Sequence, residues 1–410
     1  MVSFAWMTKR KAGKVYYMSE KNQINLSFFT LLLLISFASV NAVLFTPALP
    51  KITDYFHITE NLAQQTITWF LVGYAIGQLL YGPIANRFGR KPALFIGVGL
   101  QIFSSLLSVL AGHVHEYGLL VFARFLLALG SGVGLKMTFT LVNETYEPKA
   151  ASQKISYLML AFAITPGLGV ALRGILTTYF NWTSCFYAGA IYGFILLLLV
   201  IKLPEKHKKL DLNALKLKHL WYGYVSQFKN HQLVLGGFLM GSSTCFIYIF
   251  ASISPFIVIN LLGMTSADYG FANMLPPIGL ILGSLIGARL TTRYALVSLL
   301  KIGVLMTVIG TAVLFCMIKM GLSPLISIFL PMIIVYLGLC FILPNASTIA
   351  MSTVSDKAHG SAVMSFLNMG LATVAVLLSG YFSITVLLLP YVYIALCCLM
   401  LGLLGLTRAC

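Results

Sequence analysis

Apolar residues in this chain come in blocks of about 20, and twelve such blocks fill most of its 410 residues. About 20 helical residues cross the roughly 30 Å hydrocarbon core of a bilayer. Inside that core every backbone polar group has to be satisfied within the protein, and a helix does this within its own segment. The blocks lie near 25–47, 65–84, 92–111, 118–142, 155–178, 183–203, 232–255, 269–288, 298–318, 325–348, 361–383 and 387–406. The chain is therefore expected to be an all-α membrane protein with twelve transmembrane helices. Only 9% of its residues are charged, against roughly 25% in a soluble domain.

Charge sets the layout. With twelve spans, both ends lie on one side of the bilayer. Of the 27 Lys and Arg, three fall well inside blocks and two, Lys51 and Lys319, lie in loops on one side; the rest lie on the other, Lys202 and Lys301 at the ends of blocks. Positive charge favours the cytoplasm, so both termini and the long central loop are expected there. The net charge of +17 thus reads as a topology signal, and nucleic acid is not needed to account for it. The expected organisation is a tail at 1–24, a six-helix bundle at 25–203, a basic linker at 204–231 and a second six-helix bundle at 232–410. Carriers built from two parallel repeats have this layout. The linker segment LDLNALKLKHLWYGYV alternates apolar and basic residues, and both an amphipathic surface helix and a solvated connection suit it. The basic start is followed by a block too long for a signal h-region, so no cleaved leader is expected. The seven cysteines lack metal-ligand spacing, and no catalytic constellation stands out. Neither an enzyme nor a bound metal or cofactor is expected.

The charges well inside the blocks are all of one sign: Arg124, Lys136 and Arg173, with no Asp or Glu. A cation at mid-bilayer depth costs roughly 2.5–3.5 kcal/mol on insertion scales and normally faces a bundle interior or a wet cavity. With no intramembrane carboxylate to pair with, the transported solute is one candidate partner.

Local motifs carry a resemblance. The loop after the second block reads GQLLYGPIANRFGRKPALFIG, from Gly77 to Gly97. It resembles the signature loop of the major facilitator superfamily, GxLaDrxGrkxxl. The longer run from Trp69 resembles the Bcr/CflA group of drug–proton antiporters within that superfamily. So do YIFASISPFIVINLLGMTSADYGF, from Tyr248 to Phe271, and FILPNASTIAMSTVSDKAHGSAVMSFL, from Phe341 to Leu367. The resemblance implies the major facilitator fold.

In the family the signature loop latches neighbouring helices and biases the inward- and outward-open states. Here its residues are Gly82, Asn86, Arg87, Gly89 and Arg90. Asn86 stands where the family has Asp, which removes a charge–dipole term of about 0.3–1 kcal/mol, so a weaker latch is expected. The fourth block, VFARFLLALGSGVGLKMTF, resembles the family's RxxQGxGaa helix. That places Arg124 near the central cavity, with a part in coupling. The fifth block contains ITPGLGVALRGIL, a partial match to the antiporter motif. Pro166, Gly167, Gly169 and Gly174 remain for close packing against the other half, while Val170 and Arg173 replace Pro and Gly. Arg173 either snorkels or lines the outer mouth. Lys136, without a family counterpart, either faces the cavity or snorkels to the cytoplasmic edge.

The first block departs most. Val43 stands where Bcr/CflA-like chains carry Asp, and the nearby Ser36, Ser39, Asn41 and Thr46 do not titrate usefully. Glu144, Asp268 and Asp356 fall at helix ends, where capping or surface roles are expected. Pro276–Pro277 is expected to kink the eighth block. Two functional readings follow. The resemblance implies proton-coupled efflux of lipophilic or cationic drugs. The missing carboxylates and the buried cations lean instead to a small organic anion, such as a carboxylate metabolite or siderophore. Substrate or coupling contacts are expected from Arg124, Lys136, Arg173, Asn41, Tyr248 and Asn368. The expected partners are the solute, the lipid of a bacterial-type inner membrane and protons, and a monomer is expected.

Overall fold

A computed structural model describes residues 27–43, 45–146, 181–203, 214–291, 293–354 and 357–406, together with Leu210 and parts of 154–180. Among the described residues every regular element is helical, and ten helices are long and apolar enough to cross a membrane. A shorter apolar helix, α1 (Phe28–Val43), precedes them. The fifth expected span, 155–178, lies largely outside the described residues.

α1 ends sooner than its apolar block. Pro47 and Pro50 bring no amide donor, and the chain turns through a short 3₁₀ segment, Thr46–Ala48, into α2 (Leu49–Phe56). α3 (Glu60–Phe88) starts at Thr59, whose hydroxyl accepts the Leu62 amide at 3.3 Å. It stops at Gly89, whose φ of +104° suits glycine and few other residues. α4 (Arg90–His113) follows at once. α5 (Tyr117–Ser131) runs through Gly132 into α6 (Val133–Thr145), and α7 (Ser184–Ile201) closes the first half. The linker contains α8 (Leu217–Phe228). α9 (His231–Pro255) begins at Asn230, whose side chain accepts the Leu233 amide at 3.1 Å. The eighth span is split into α10 (Ser266–Ala272) and α11 (Pro276–Leu290) at the proline pair, as the missing donors require. α12 (Leu296–Lys319), α13 (Leu330–Ser352), α14 (Lys357–Ser379) and α15 (Leu388–Leu406) complete the second half.

In the first half α4 packs on α5 and α7, α3 on α5, and α1 on α6. In the second half α12 packs on α13, α9 on α14, and α13 also meets α9 and α11. The halves touch along α3 and α14. Lys91 Nζ donates to the Ile201 carbonyl at 2.7 Å, so the α3–α4 turn and the linker share one side of the molecule.

α8 is docked on both halves there. The Tyr224 hydroxyl donates to the Leu79 carbonyl of α3 at 2.9 Å, and its ring meets His359 of α14 edge-on at 5.1 Å. Pro83 accounts for the available carbonyl, since proline has no N–H to return to the residue four positions earlier, here Leu79. Trp221 and Tyr222 stay exposed on the outer face of α8.

Candidate functional site

A cavity of about 1220 Å³ lies between the halves. Asn86, Arg90, Tyr224 and His359 line its linker-side end. The far side is closed. Asn260 donates to Glu60 at 2.7 Å, joining the second half to the first. One buried apolar cluster contains Phe45, Leu49 and Ile52 from the first half and Ile253, Phe256 and Ile257 from the second. Gln64 of α3 lies beneath Gly380 just beyond α14. The cavity thus runs inward from the linker side and ends at this seal.

Its wall is largely aromatic and apolar. Tyr74, Tyr248, Tyr269 and Tyr336 stand on it with Met240, Met364 and Met369. Polar points come from Gln78, Asn273, Asn345 and Asn368. The Tyr269 and Ser254 hydroxyls are 2.9 Å apart, which fixes that ring. No Asp or Glu is found among the described lining residues, while Lys136 and Arg90 are both there.

The two intramembrane cations among the described residues have separate placements. Lys136 is on the wall, and its Nζ donates to the Gln78 carbonyl at 3.1 Å. Arg124 is almost wholly buried and does not line the cavity. Its guanidinium donates to the carbonyls of Asn41 at 3.1 Å and Ala42 at 3.5 Å. It also lies 3.8 Å from the Phe45 ring centroid and 4.5 Å from that of Phe70. Both carbonyls belong to the last turn of α1, where no helical amide follows to bond them. A cation there also meets the negative end of the helix dipole. Carbonyls and ring faces therefore compensate this charge. Arg173 lies outside the described residues, as do Pro166 and Gly174.

Asn41 is also off the cavity wall. Its amide donates to the Phe37 carbonyl at 2.8 Å and its oxygen accepts from Gln101 at 3.2 Å. Gln101 also donates to the Gly189 carbonyl at 3.0 Å, tying α1, α4 and α7 together. Nothing in the apolar block around Gln101 marks it as a junction. Tyr248 and Asn368 do line the cavity, and the Asn368 Oδ1 is buried without a hydrogen bond. Gly167 packs against the other half, where a methyl in its place would lie 3.0 Å from Pro277 Cγ. Gly169 is half-buried beside it in sequence.

In the signature loop, Arg90 holds Glu144 along one edge of its guanidinium, through Nη2 at 2.8 Å and Nε at 3.3 Å, and donates from Nη1 to the Ala85 carbonyl at 2.7 Å. Glu144, expected as a cap or surface group, is thus an ion partner that joins the α3–α4 turn to the end of α6. Thr265, not Asp268, caps α10: its Oγ1 accepts the Asp268 amide at 3.0 Å and donates to the Asp268 carboxylate at 2.7 Å. Asp356 lies outside the described residues. Gly82 and Asn86 face the cavity, Asn86 being exposed, and the Arg87 guanidinium sits 5.9 Å from the Phe88 ring centroid.

Residues 31–380 match the family model of the Major Facilitator Superfamily. The bicyclomycin resistance protein homolog of Haemophilus influenzae is 23% identical over 63% of this chain and 65% of its own length, so the match spans slightly less than two thirds of that relative. The chloramphenicol resistance protein CraA of Acinetobacter baumannii is 27% identical over 72% of this chain and 70% of its own. Among solved structures, the inward open conformation of the xylose transporter XylE from E. coli superposes with a TM-score of 0.71 over 91% of this chain and 94% of that one. Its identity of 14% makes that a likeness of fold alone. Carried by a family match over most of its length, the chain belongs to the Major Facilitator Superfamily, a family of multi-pass membrane transporters, and resembles the Bcr/CflA group.

Proposed function

We propose that the protein exports uncharged amphipathic, drug-like solutes by alternating access. The observation that carries this reading is the cavity wall. Tyrosines offer large flat apolar surfaces with a polar tip, and methionines adapt to irregular shapes. A wall of this kind with a few polar points suits varied amphiphiles, and about 1220 Å³ exceeds the roughly 300–1000 Å³ of ordinary ligand pockets. The drug-resistance names of the relatives support the same class. In this reading twelve spans form two six-helix bundles in a bacterial-type inner membrane. The basic linker side is cytoplasmic, so the cavity opens to the cytoplasm, the loading side for export.

The lean toward a carboxylate or siderophore loses its support. Arg124 is engaged by the end of α1, and Arg90 by Glu144. No arginine fork is left on the described wall for bidentate carboxylate capture. Cationic drugs are also poorly matched, because no carboxylate stands among the described lining residues. Protons enter the cycle through water or the solute.

Overexpression in a drug-sensitised bacterium tests the reading. The expected outcome is a several-fold rise in the inhibitory concentration of an uncharged amphiphile such as chloramphenicol. Unchanged sensitivity together with accelerated uptake of an organic acid would instead establish the anion carrier.

A further inference from the structure

We propose that Lys136 is a charge filter for the solute, admitting uncharged and anionic amphiphiles to the cavity and disfavouring cations. This rests on the cavity being the solute site of the efflux reading.

The ammonium is held at a fixed place on the wall. Nζ donates to the Gln78 carbonyl, and Gly82, one turn later on α3, makes the room: a methyl at Gly82 would lie 2.8 Å from Nζ. The side chain is therefore anchored across the gap from α6 to α3 and is not stretched toward the membrane edge. An ammonium has three donors, and Gln78 takes one of them. The remaining two are available to an acceptor in the cavity.

Its charge also stands uncancelled within the described wall. Arg90, the other cation there, forms an ion pair with Glu144 at 2.8 Å. His359 stands near the linker side, with its ring against Tyr224. Deeper in, the partners are tyrosines, amides and apolar groups. In a cavity of intermediate dielectric, a unit charge acts over the width of a small solute. Repulsion between two cations some 7 Å apart corresponds to a loss of affinity of tenfold or more.

Three probes on one biphenyl scaffold, bearing a carboxamide, a carboxylate or a trimethylammonium group, test the proposal. Their dissociation constants are measured on the full chain in nanodiscs, with empty nanodiscs subtracted. The wild type is expected to bind the carboxamide about tenfold or more tighter than the ammonium. Lys136→Gln is expected to narrow that ratio to near unity, Lys136→Glu to invert it, and Lys136→Arg to preserve it. Retained carboxamide binding in each variant also reports a folded cavity. If the wild type binds carboxamide and ammonium equally, or Lys136→Gln leaves the ratio unchanged, the filter is refuted while the efflux reading stands. If the carboxamide itself does not bind, the efflux reading and the filter fall together.

Discussion

Arg124→Leu is expected to destabilise the protein severely, and not only to stop transport. Leucine fills part of the space but leaves the Asn41 and Ala42 carbonyls buried without a donor. Each such orphan costs about 1–3 kcal/mol. The stacking of the guanidinium against Phe45 and Phe70, of order 2 kcal/mol when desolvated, is lost as well. Thermal unfolding of the purified chain, followed by tryptophan fluorescence, should show a melting temperature lower by several degrees. Arg124→Lys keeps the charge but not the planar fork, and should fall between the two. If Arg124→Leu melts like the wild type and loses only transport, the residue acts on solute or coupling and not as the cap of α1.

Gly130→Val is expected to yield little or no monodisperse protein. A methyl at Gly130 would sit 2.5 Å from the Gly97 carbonyl oxygen and 2.8 Å from the Gln101 amide nitrogen. Both are backbone atoms, so no rotamer change relieves the clash. At Gly97, in turn, a methyl would lie 2.5 Å from Val133 Cγ1. Small residues set the approach of helices where lipid offers no hydrophobic drive to associate. Forcing α4 from α5 would also pull Gln101 from Asn41 and Gly189. Overpacking of a well-packed contact costs typically 1–3 kcal/mol or more. The control is Gly99→Ala, also on α4, where a methyl meets open space and expression should be unchanged. Size-exclusion profiles of the two variants make the comparison.

Much of the fold is legible in the sequence because lipid imposes one dominant rule, a long apolar helix per crossing. The ends of α3, α4, α7, α9 and α12 fall within a few residues of the apolar blocks. The turn at Gly89 and the break before Pro276 follow from local backbone chemistry and could be read directly. The end of α1 is less legible, because apolar residues continue past the point where Pro47 and Pro50 interrupt helical bonding. The site is harder still. Counting charges pairs a cation only with a carboxylate, whereas Arg124 is compensated by backbone carbonyls and ring faces from residues more than 50 positions away. That is why the sequence leaned to an anionic solute. Glu144 looked like a helix-end group for the same reason, since its partner Arg90 lies 54 positions earlier. The docking of Tyr224 depends on a carbonyl released by Pro83, a consequence visible only once α8 is folded beneath α3.

Solute counterflow in proteoliposomes tests the central claim most directly, because it requires a carrier with alternating access and no driving ion. Vesicles preloaded with an unlabelled uncharged amphiphile should transiently accumulate the labelled compound above equilibrium, saturably. The overshoot should vanish when Asn368→Trp fills the wall of the cavity. Labelled flux that does not saturate, or that equals the flux of protein-free vesicles, would contradict the account.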